Sequence, residues 1–392
     1  MGNEWVERNV EEVANVFGGG TPSTKDEANF NGEIPWITPK DLSGYPFRYI
    51  SRGERNISKK GLNCSNAKLL PVGTVLLTTR APVGYVAIAA NPVTTNQGFH
   101  SLVPHNGYSS EFIYYLLKAN AEYLKSNASG TTFGELSGST LKRLKFVFPS
   151  IPEQRAIADV LGSLDDKIEL NRHMNATLES MARAVFKAWF MENEEAKGWK
   201  IGQIKDLGDV VCGKTPPTND KENYDGDIPF ITIPDMHNKV FITQTRKTLS
   251  EKGAQTQSKK TLPVFAICVS CIATPGLVSL TTKPSQTNQQ INNLVPNDKK
   301  SVFYCYYALR ALADEIRARG SGGSVVVNLN KGQFEILPVV IPPATKLHEF
   351  QEQVEPLFLR LLANENESRT LAALRDALLP RLMSGEVRVG EG

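Results

Sequence analysis

Residues 31–38 read Asn-Gly-Glu-Ile-Pro-Trp-Ile-Thr, and 194 positions later residues 225–232 read Asp-Gly-Asp-Ile-Pro-Phe-Ile-Thr. Two further matches follow at nearly the same spacing: Thr-Pro at 21–22 and 215–216, and Thr-Asn-Gln at 95–97 and 287–289. Ordered matches at a nearly constant offset identify an internal duplication. The 392 residues therefore divide into two copies of about 193 residues each.

Each copy begins with a part rich in Gly and Pro, at about 1–150 and 198–342, where short β-type runs alternate with turns. One amphipathic helix with a cluster of aromatic residues is predicted in each part, at residues 111–125 and 302–318. This pattern is typical of a mixed α/β domain.

The second part of the first copy is different, because residues 153–197 contain one glycine and no proline. Its apolar positions alternate between spacings of four and three, which is typical of a coiled-coil seam, and the second copy repeats the pattern 193 residues later. About 32 residues of this pattern would give a rod of about 48 Å. We expect a kink near Pro356. The predicted seam comprises Ile157, Leu161, Leu164, Ile168, Asn171, Leu178, Val185, Phe350, Val354, Leu357, Leu361, Asn364, Leu371 and Leu378.

The predicted fold class is α+β: two similar mixed α/β domains separated by two long helices that form an antiparallel coiled coil, with internal pseudo-twofold symmetry. The polar residues in mid-seam would fix the register at some cost in stability. The predicted boundaries are 1–150 for the first domain, 151–197 for the first helix, 198–343 for the second domain, and 344–392 for the second helix and the tail.

The composition excludes several classes of protein. Hydrophobic residues make up 41% and charged residues 22%, which excludes a disordered or collagenous chain. No apolar run approaches the ~20 residues that span a bilayer, and the N-terminus lacks the apolar core of a signal peptide. Five cysteines are an odd, sparse count that fits reduced thiols. We therefore expect a cytoplasmic protein with no membrane partner.

No catalytic or metal-binding set is predicted. Residues 208–215 fit the phosphate-loop pattern GxxxxGK[ST], but a polar turn follows where a phosphate-binding helix would have to begin. A nucleotide-binding protein that uses this loop stays a minor alternative. Cys268 and Cys271 have the spacing of half a zinc site, yet they lie in a strand-like run without a second pair. We expect catalysis, if any, to come from another chain.

The net charge of +3 hides two basic windows. Residues 40–80 hold eight Lys or Arg and two Asp or Glu, a net +6, and residues 239–260 hold six and one, a net +5. Basic stripes beside Asn-, Gln- and Thr-rich loops suit phosphate and base-edge contacts to DNA. The predicted DNA-binding residues are Thr21, Thr38, Lys40, Lys59, Lys60, Arg80, Asn96, Gln97, Lys214, Thr215, Thr232, Arg246, Lys259, Lys260, Asn288 and Gln289. A coiled-coil scaffold whose basic loops bind no DNA is the alternative.

These motifs together resemble the specificity subunit of type I restriction–modification enzymes. The resemblance rests on the turn at 18–23 and its echo at 213–217, the two Ile-Pro-aromatic-Ile-Thr segments, the Thr-Asn-Gln triplets, Ile-Pro-Glu-Gln at 151–154 and the C-terminal segment 378–387. The second copy departs from the family pattern where its helix opens, with Pro-Pro-Ala-Thr-Lys at 342–346.

The resemblance implies a non-catalytic chain with two target-recognition domains and two spacer helices. Such a chain reads a bipartite, asymmetric double-stranded DNA target with a nonspecific spacer. It docks two methyltransferase subunits, which bind S-adenosylmethionine and flip out an adenine for N6 methylation, and motor-nuclease subunits that use ATP and Mg²⁺. The chain itself would bind no cofactor.

Overall fold

The computed structural model of the chain describes residues 5–129, 134–320 and 329–389. The chain divides into two compact units, of which the first comprises residues 1–170 and 368–392 and the second residues 171–367. The four predicted domain boundaries remain a prediction.

The N-terminal half of the chain has ten strands and seven α-helices among its described residues. The strands are β1 (Val6–Asn9), β2 (Ala14–Gly18), β3 (Phe30–Ile37), β4 (Tyr49–Ile50), β5 (Arg55–Ile57), β6 (Val75–Thr79), β7 (Val83–Ala89), β8 (Thr94–Thr95), β9 (Phe99–Pro104) and β10 (Lys145–Phe148). The helices are α1 (Val10–Val13), α2 (Pro39–Leu42), α3 (Lys59–Asn63), α4 (Ser110–Ala119), α5 (Ala121–Ser126), α6 (Gly138–Arg143) and α7 (Ile151–Phe186).

The C-terminal half repeats this order. Its strands are β11 (Lys200–Gln203), β12 (Gly208–Cys212), β13 (Tyr224–Ile231), β14 (Phe241–Ile242), β15 (Lys247–Leu249), β16 (Ile267–Ser270), β17 (Val278–Thr281), β18 (Gln286–Thr287), β19 (Ile291–Pro296) and β20 (Pro338–Ile341). Its helices are α8 (Ile204–Leu207), α9 (Ile233–Met236), α10 (Glu251–Gln255), α11 (Val302–Ala311), α12 (Ala313–Gly320), α13 (Lys331–Glu335) and α14 (Ala344–Met383).

Both units contain the same three sheets. In the first unit the strand orders are β2-β9-β6-β7-β4, β5-β3-β8 and β1-β10, and in the second they are β12-β19-β16-β17-β14, β15-β13-β18 and β11-β20. Within each of the two larger sheets, one edge strand pairs in parallel and the other pairs are antiparallel. The predicted α+β class with two similar mixed domains is confirmed.

The five-stranded sheet of the first unit is covered on both faces. Successive side chains of a strand point to opposite sides, so neighbouring residues show what each face contacts. Val75 and Leu77 of β6 pack with residues of α4 and α7, whereas Leu76, which lies between them, packs with Ile37 in a second cluster. All three β6 residues are fully buried. One face of the sheet therefore meets the helices, and the other faces the three-stranded sheet.

The two predicted aromatic helices are each broken into two. The first ends at Ala119 and resumes as α5, because Asn120 leaves the helical conformation and its side-chain amide donates to the Leu116 carbonyl. The second is interrupted at Leu312, between α11 and α12. An asparagine that bonds locally to the backbone is a common helix end. The single helices expected at 111–125 and 302–318 were therefore wrong in this detail.

The long helices are present and pair in antiparallel fashion within each unit. The helix α7 has 36 residues and α14 has 40, and α14 continues through Pro356. In the second unit Asn171 donates to the Asn364 carbonyl at 3.4 Å, and Asn175 donates to the Leu361 carbonyl at 3.3 Å. The residue number of the acceptor falls as that of the donor rises, which is the pattern of an antiparallel pair of helices. The polar seam residues are thus hydrogen-bonded between the two helices.

Burial follows most of the predicted seam but changes at the end of α7. The buried seam residues are Ile157, Leu161, Ile168, Asn171, Phe350, Val354, Leu361 and Asn364, and the half-buried ones are Leu164, Leu178, Val185, Leu357, Leu371 and Leu378. Near the end of α7 the buried residues are Ala182 and Phe186, followed by Phe190 in the π turn Lys187–Met191. Phe186 and Phe190 pack on Tyr304 of α11. The end of α7 therefore contacts the α/β domain of the second unit as well as α14.

Candidate nucleic-acid interface

In the first unit the parallel strands β3 and β8 end side by side, and polar loops leave from their ends. The Asn96 amide donates to the Ile37 carbonyl at 3.0 Å, which ties the loop after β8 to the end of β3. Helix α2 begins directly after Thr38, whose hydroxyl and amide both donate to one carboxylate oxygen of Asp41 at 2.7 Å. This capping box fixes the direction in which α2 leaves the sheet.

The Gly-rich turn lies directly against the Thr-Asn-Gln loop. A Cβ on Gly19 would stand 2.0 Å from the Asn96 carbonyl oxygen, so only glycine fits there. The next exposed side chain of the turn, Thr21, donates its hydroxyl hydrogen bond to the Gln97 side-chain oxygen. We call the joined residues of this unit, 19–23, 38–41 and 95–98, the first loop edge.

The second unit repeats these contacts at its second loop edge, residues 213–217, 232–235 and 287–290. The equivalent hydrogen bonds run from the Asn288 amide to the Ile231 carbonyl (3.1 Å), from the Thr232 hydroxyl to Asp235 (2.6 Å) and from the Thr215 hydroxyl to the Gln289 side-chain oxygen (2.5 Å). Gly213 matches Gly19, with a Cβ distance of 2.1 Å to the Asn288 carbonyl oxygen. The two edges therefore have a common backbone frame.

The structure brings most of the predicted DNA-binding residues to these two edges. Those on or beside the first edge are Thr21, Thr38, Lys40, Arg80, Asn96 and Gln97, and those on or beside the second are Lys214, Thr215, Thr232, Arg246, Lys259, Lys260, Asn288 and Gln289. Arg80 is placed by the hydrogen bond from the preceding Thr79 amide to the Gly98 carbonyl. Lys259 and Lys260 lie beside the second edge because the nearby Gln257 is fixed there: its side-chain amide donates to the Lys214 carbonyl at 2.7 Å.

Lys59 and Lys60 lie at the start of α3 in the first unit, and both are exposed. Lys60 forms an ion pair with Asp26 at 2.7 Å, and this hydrogen bond holds the pKa of Asp26 below its usual value. Lys252 and Asp220 form the equivalent pair in the second unit at 2.9 Å. No described contact ties Lys59 to the first loop edge.

Four of the predicted residues use their polar groups inside the loops. The hydroxyls of Thr38 and Thr232 are held by the capping carboxylates, and both residues are half-buried. The side-chain oxygens of Asn96 and Asn288 accept from backbone amides two residues further along. These four side chains shape the loops, which leaves the exposed Thr, Gln, Lys and Arg residues as the groups available to a ligand.

Three residues that build the edges are not among the predicted ones: Asp41, Asp235 and Gln257. The two aspartates could have been found, because Thr-x-x-Asp after a strand is the pattern of a capping box. Gln257 is 6% exposed and donates to both Lys214 and Gln286. Nothing in the local sequence distinguishes this glutamine from its exposed neighbours.

The first basic window is less exposed than its composition indicates. Arg48 is only 8% exposed and forms an ion pair with Asp166 at 2.6 Å, so it supports the fold. Lys40 is exposed but paired with Glu54 at 2.7 Å. Because Arg48 is buried and paired with an aspartate outside the window, the charge that the window exposes is lower than its net +6; the Lys40–Glu54 pair is already counted in that sum.

The phosphate-loop and zinc interpretations do not fit the geometry. Residues 208–212 form strand β12, and the amides of Gly213 and Lys214 already donate to the carbonyls of Ile291 and Thr287. Cys268 and Cys271 belong to hydrophobic clusters on different sides of β16, and burial raises the pKa of the Cys271 thiol to about 11. Among residues 5–129, 134–320 and 329–389, no His, Cys, Asp and Glu residues are grouped to hold a metal ion.

Comparison with known proteins decides the family. A family model described as the type I restriction modification DNA specificity domain matches residues 2–180 and 196–368, which is most of both copies. The chain belongs to this family. As a type I specificity subunit, it recognises a DNA target, which confirms the resemblance drawn from its motifs.

Two curated relatives support this assignment over most of the chain. The type I restriction enzyme MjaIX specificity subunit of Methanocaldococcus jannaschii is 37% identical over 99% of this chain and 94% of its own length. The HindI specificity subunit of Haemophilus influenzae is 36% identical over 71% of this chain and 77% of its own. The crystal structure of a type I S subunit from M. genitalium has the same fold, with a TM-score of 0.66 and 18% identity; the match covers 97% of this chain and 96% of that one.

Among the helices of the described residues, none combines the length and the apolar character that a membrane span requires.

Proposed function

We propose that this specificity subunit reads a bipartite, asymmetric DNA target, with one half-site contacted by each loop edge. One observation carries the proposal: the two units build the same frame of hydrogen-bonded loops but place different exposed side chains on it. A shared frame suits a common way of approaching DNA, and unlike side chains suit unlike base sequences. The two half-sites should therefore differ in sequence.

The contacts to phosphates would come from the exposed cations at the two edges. Lys214 and Lys259 are exposed beside the second edge, and Arg80 beside the first. Lysine and arginine side chains that neutralise phosphates release counterions, so binding should weaken steeply with salt. The exposed Gln97 and Gln289 would approach the groove next to them.

We further propose that the chain docks two methyltransferase subunits and motor-nuclease subunits, and that S-adenosylmethionine, ATP and Mg²⁺ bind to those subunits. Both long helices expose apolar residues among the described positions, and we take these as candidate contacts for docking. In the first unit these are Leu170 of α7, 54% exposed, and Leu374 of α14, 47% exposed. In the second unit they are Met181 and Leu359, at 50% and 46%.

The test is a footprint of the chain assembled with its methyltransferase subunit on DNA that carries its target. We expect two short protected sequences that differ from each other, separated by a stretch whose sequence does not affect binding. The affinity should fall linearly on a plot of log K against log salt. One continuous protected sequence, or binding that salt does not weaken, would contradict the proposal.

A further inference from the structure

Residues 54 and 246 occupy the same place on the two frames. The Glu54 amide donates to a carboxylate oxygen of Asp41 at 2.7 Å, and the Arg246 amide donates to a carboxylate oxygen of Asp235 at 2.9 Å. Asp41 and Asp235 are the equivalent capping residues of α2 and α9. The backbone of residues 54 and 246 is therefore held in the same way beside each loop edge.

The side chains at this place are chemically opposite. The Glu54 carboxylate is 66% exposed and accepts a hydrogen bond from Lys40 at 2.7 Å. Arg246 is exposed, and its guanidinium has no hydrogen bond or ion pair with any described residue of the chain. The residue at the Lys40 position in the second copy is Pro234, which carries no charge. One edge thus presents a carboxylate and the other a free guanidinium at the same point.

The groups shared by both edges cannot distinguish two unlike half-sites. The Thr21–Gln97 and Thr215–Gln289 pairs, like the capping boxes, have the same chemistry in both units. Discrimination must come from positions at which the units differ. An arginine guanidinium matches the two acceptors of guanine in the major groove, whereas a carboxylate accepts from the amino group of cytosine.

We propose that residues 54 and 246 are specificity-determining positions: Arg246 contacts a guanine in one half-site, and Glu54, held by Lys40, accepts from a cytosine in the other. This inference rests on the proposed function and adds the base class that each edge reads. The shared glutamines would then contact bases in both half-sites alike, and the differing position selects the base that distinguishes one half-site from the other.

The experiment selects preferred sequences from randomised duplexes with the chain assembled with its methyltransferase subunit. Arg246→Lys keeps the charge but removes the planar fork of donors. We expect it to lower the preference for guanine at one position of one half-site roughly ten- to a hundredfold, with the other half-site and the salt dependence unchanged. Glu54→Gln should change the preference at one position of the opposite half-site from cytosine towards adenine, which an amide contacts through two hydrogen bonds.

Lys247→Gln is the matched control, because it removes one exposed cation directly beside Arg246. It should leave the selected sequence unchanged. If Arg246→Lys and Arg246→Ala instead weaken binding to all sequences equally, Arg246 contacts phosphate and the inference is wrong. If the unmodified assembly selects no sequence at all, the proposed function itself fails, so the two failures are distinguishable.

Discussion

The two units pack their α/β domains on the long helices with different chemistry at one duplicated position. Asp165 on α7 accepts hydrogen bonds from Arg375 at 2.5 Å and from the Tyr115 hydroxyl at 2.7 Å in the first unit. The position 193 residues later on α14 is Phe358, which stacks on Phe303 with ring centroids 4.0 Å apart in the second unit. The same duplicated position thus takes part in an ion pair in one unit and in an aromatic cluster in the other. We call these contacts between an α/β domain and the long helices the ionic joint and the aromatic joint.

The neighbouring residues extend this contrast. In the first unit Arg48 donates to Asp166 and to the Tyr115 hydroxyl. In the second unit the ring of Phe241 packs edgewise on Phe358 instead. Both units therefore fill this place, but with different interactions. Because each joint fits only its own helix segment, we expect it to help match each domain to the correct helix segment.

The largest effect is expected in the aromatic joint. Phe358→Ala should lower the free energy of unfolding by about 3–5 kcal/mol, because it opens a cavity among buried rings. Urea unfolding at low and high salt measures this, and the loss should be the same at both. Leu359→Ala, at the exposed neighbouring position, should cost less than about 0.5 kcal/mol. An equal loss for both variants would contradict the account.

The next effect concerns a buried carboxylate near the aromatic joint. The pKa of Glu365 is raised to about 7, mainly by burial; Lys239 acts against this rise and Glu179 adds to it. The Oε2 atom of Glu365 has no hydrogen-bond partner among the described residues. The folded state therefore favours the protonated form. This contribution to stability is fully present below the usual glutamate pKa and is lost as pH rises to about 7.

Glu365→Gln should remove this pH dependence and stabilise the protein at pH 8 by up to about 3 kcal/mol. Urea unfolding of the variant and the parent chain between pH 5 and pH 8, where about pH 7 marks the transition, measures the difference. If the parent chain gains stability as pH rises through this range while the variant does not, the folded state favours the ionised form of Glu365 and the prediction is wrong.

The smallest of the three effects is expected in the ionic joint. Asp165→Asn should cost about 2 kcal/mol, because Arg375 loses a charged partner and Tyr115 keeps only a neutral one. The cost lies below that of a fully buried pair, since the two side chains are 14% and 19% exposed and Arg375 also bonds Asp376. Unfolding in low and high salt should show a smaller loss at high salt, in contrast to Phe358→Ala. A double-mutant cycle with Arg375→Met would show no coupling if the pair contributes nothing.

The parts of the fold that could be predicted are those in which backbone geometry restricts the residue type. Gly19 and Gly213 recur because a Cβ would overlap a carbonyl oxygen at both places. The antiparallel helix pair could be predicted from its heptads and from Asn171 and Asn364 in mid-seam. The glycines recur because a side chain there would overlap the backbone, and the asparagines recur at positions that set the register of the helix pair.

The parts that could not be predicted depend on partners distant in sequence. Phe186 and Phe190 were missed because the end of α7 packs on Tyr304 of the α/β domain, which a heptad pattern does not reveal. Asp165 and Phe358 were not recognised as equivalent, since nothing in their types is similar. At the loop edges the polar residues were predicted, but the hydrogen bonds of Thr38 and Thr232 within their capping boxes were not.

In the proposed function, each unit contacts one half-site. The direct test measures the affinity of the assembled complex for its target and for two duplexes in which one half-site at a time is scrambled. Gln97→Ala should reduce the penalty for scrambling one half-site, and Gln289→Ala should reduce the penalty for scrambling the other. If both variants affect the same half-site, or if neither changes a penalty, the assignment of one loop edge to each half-site is contradicted.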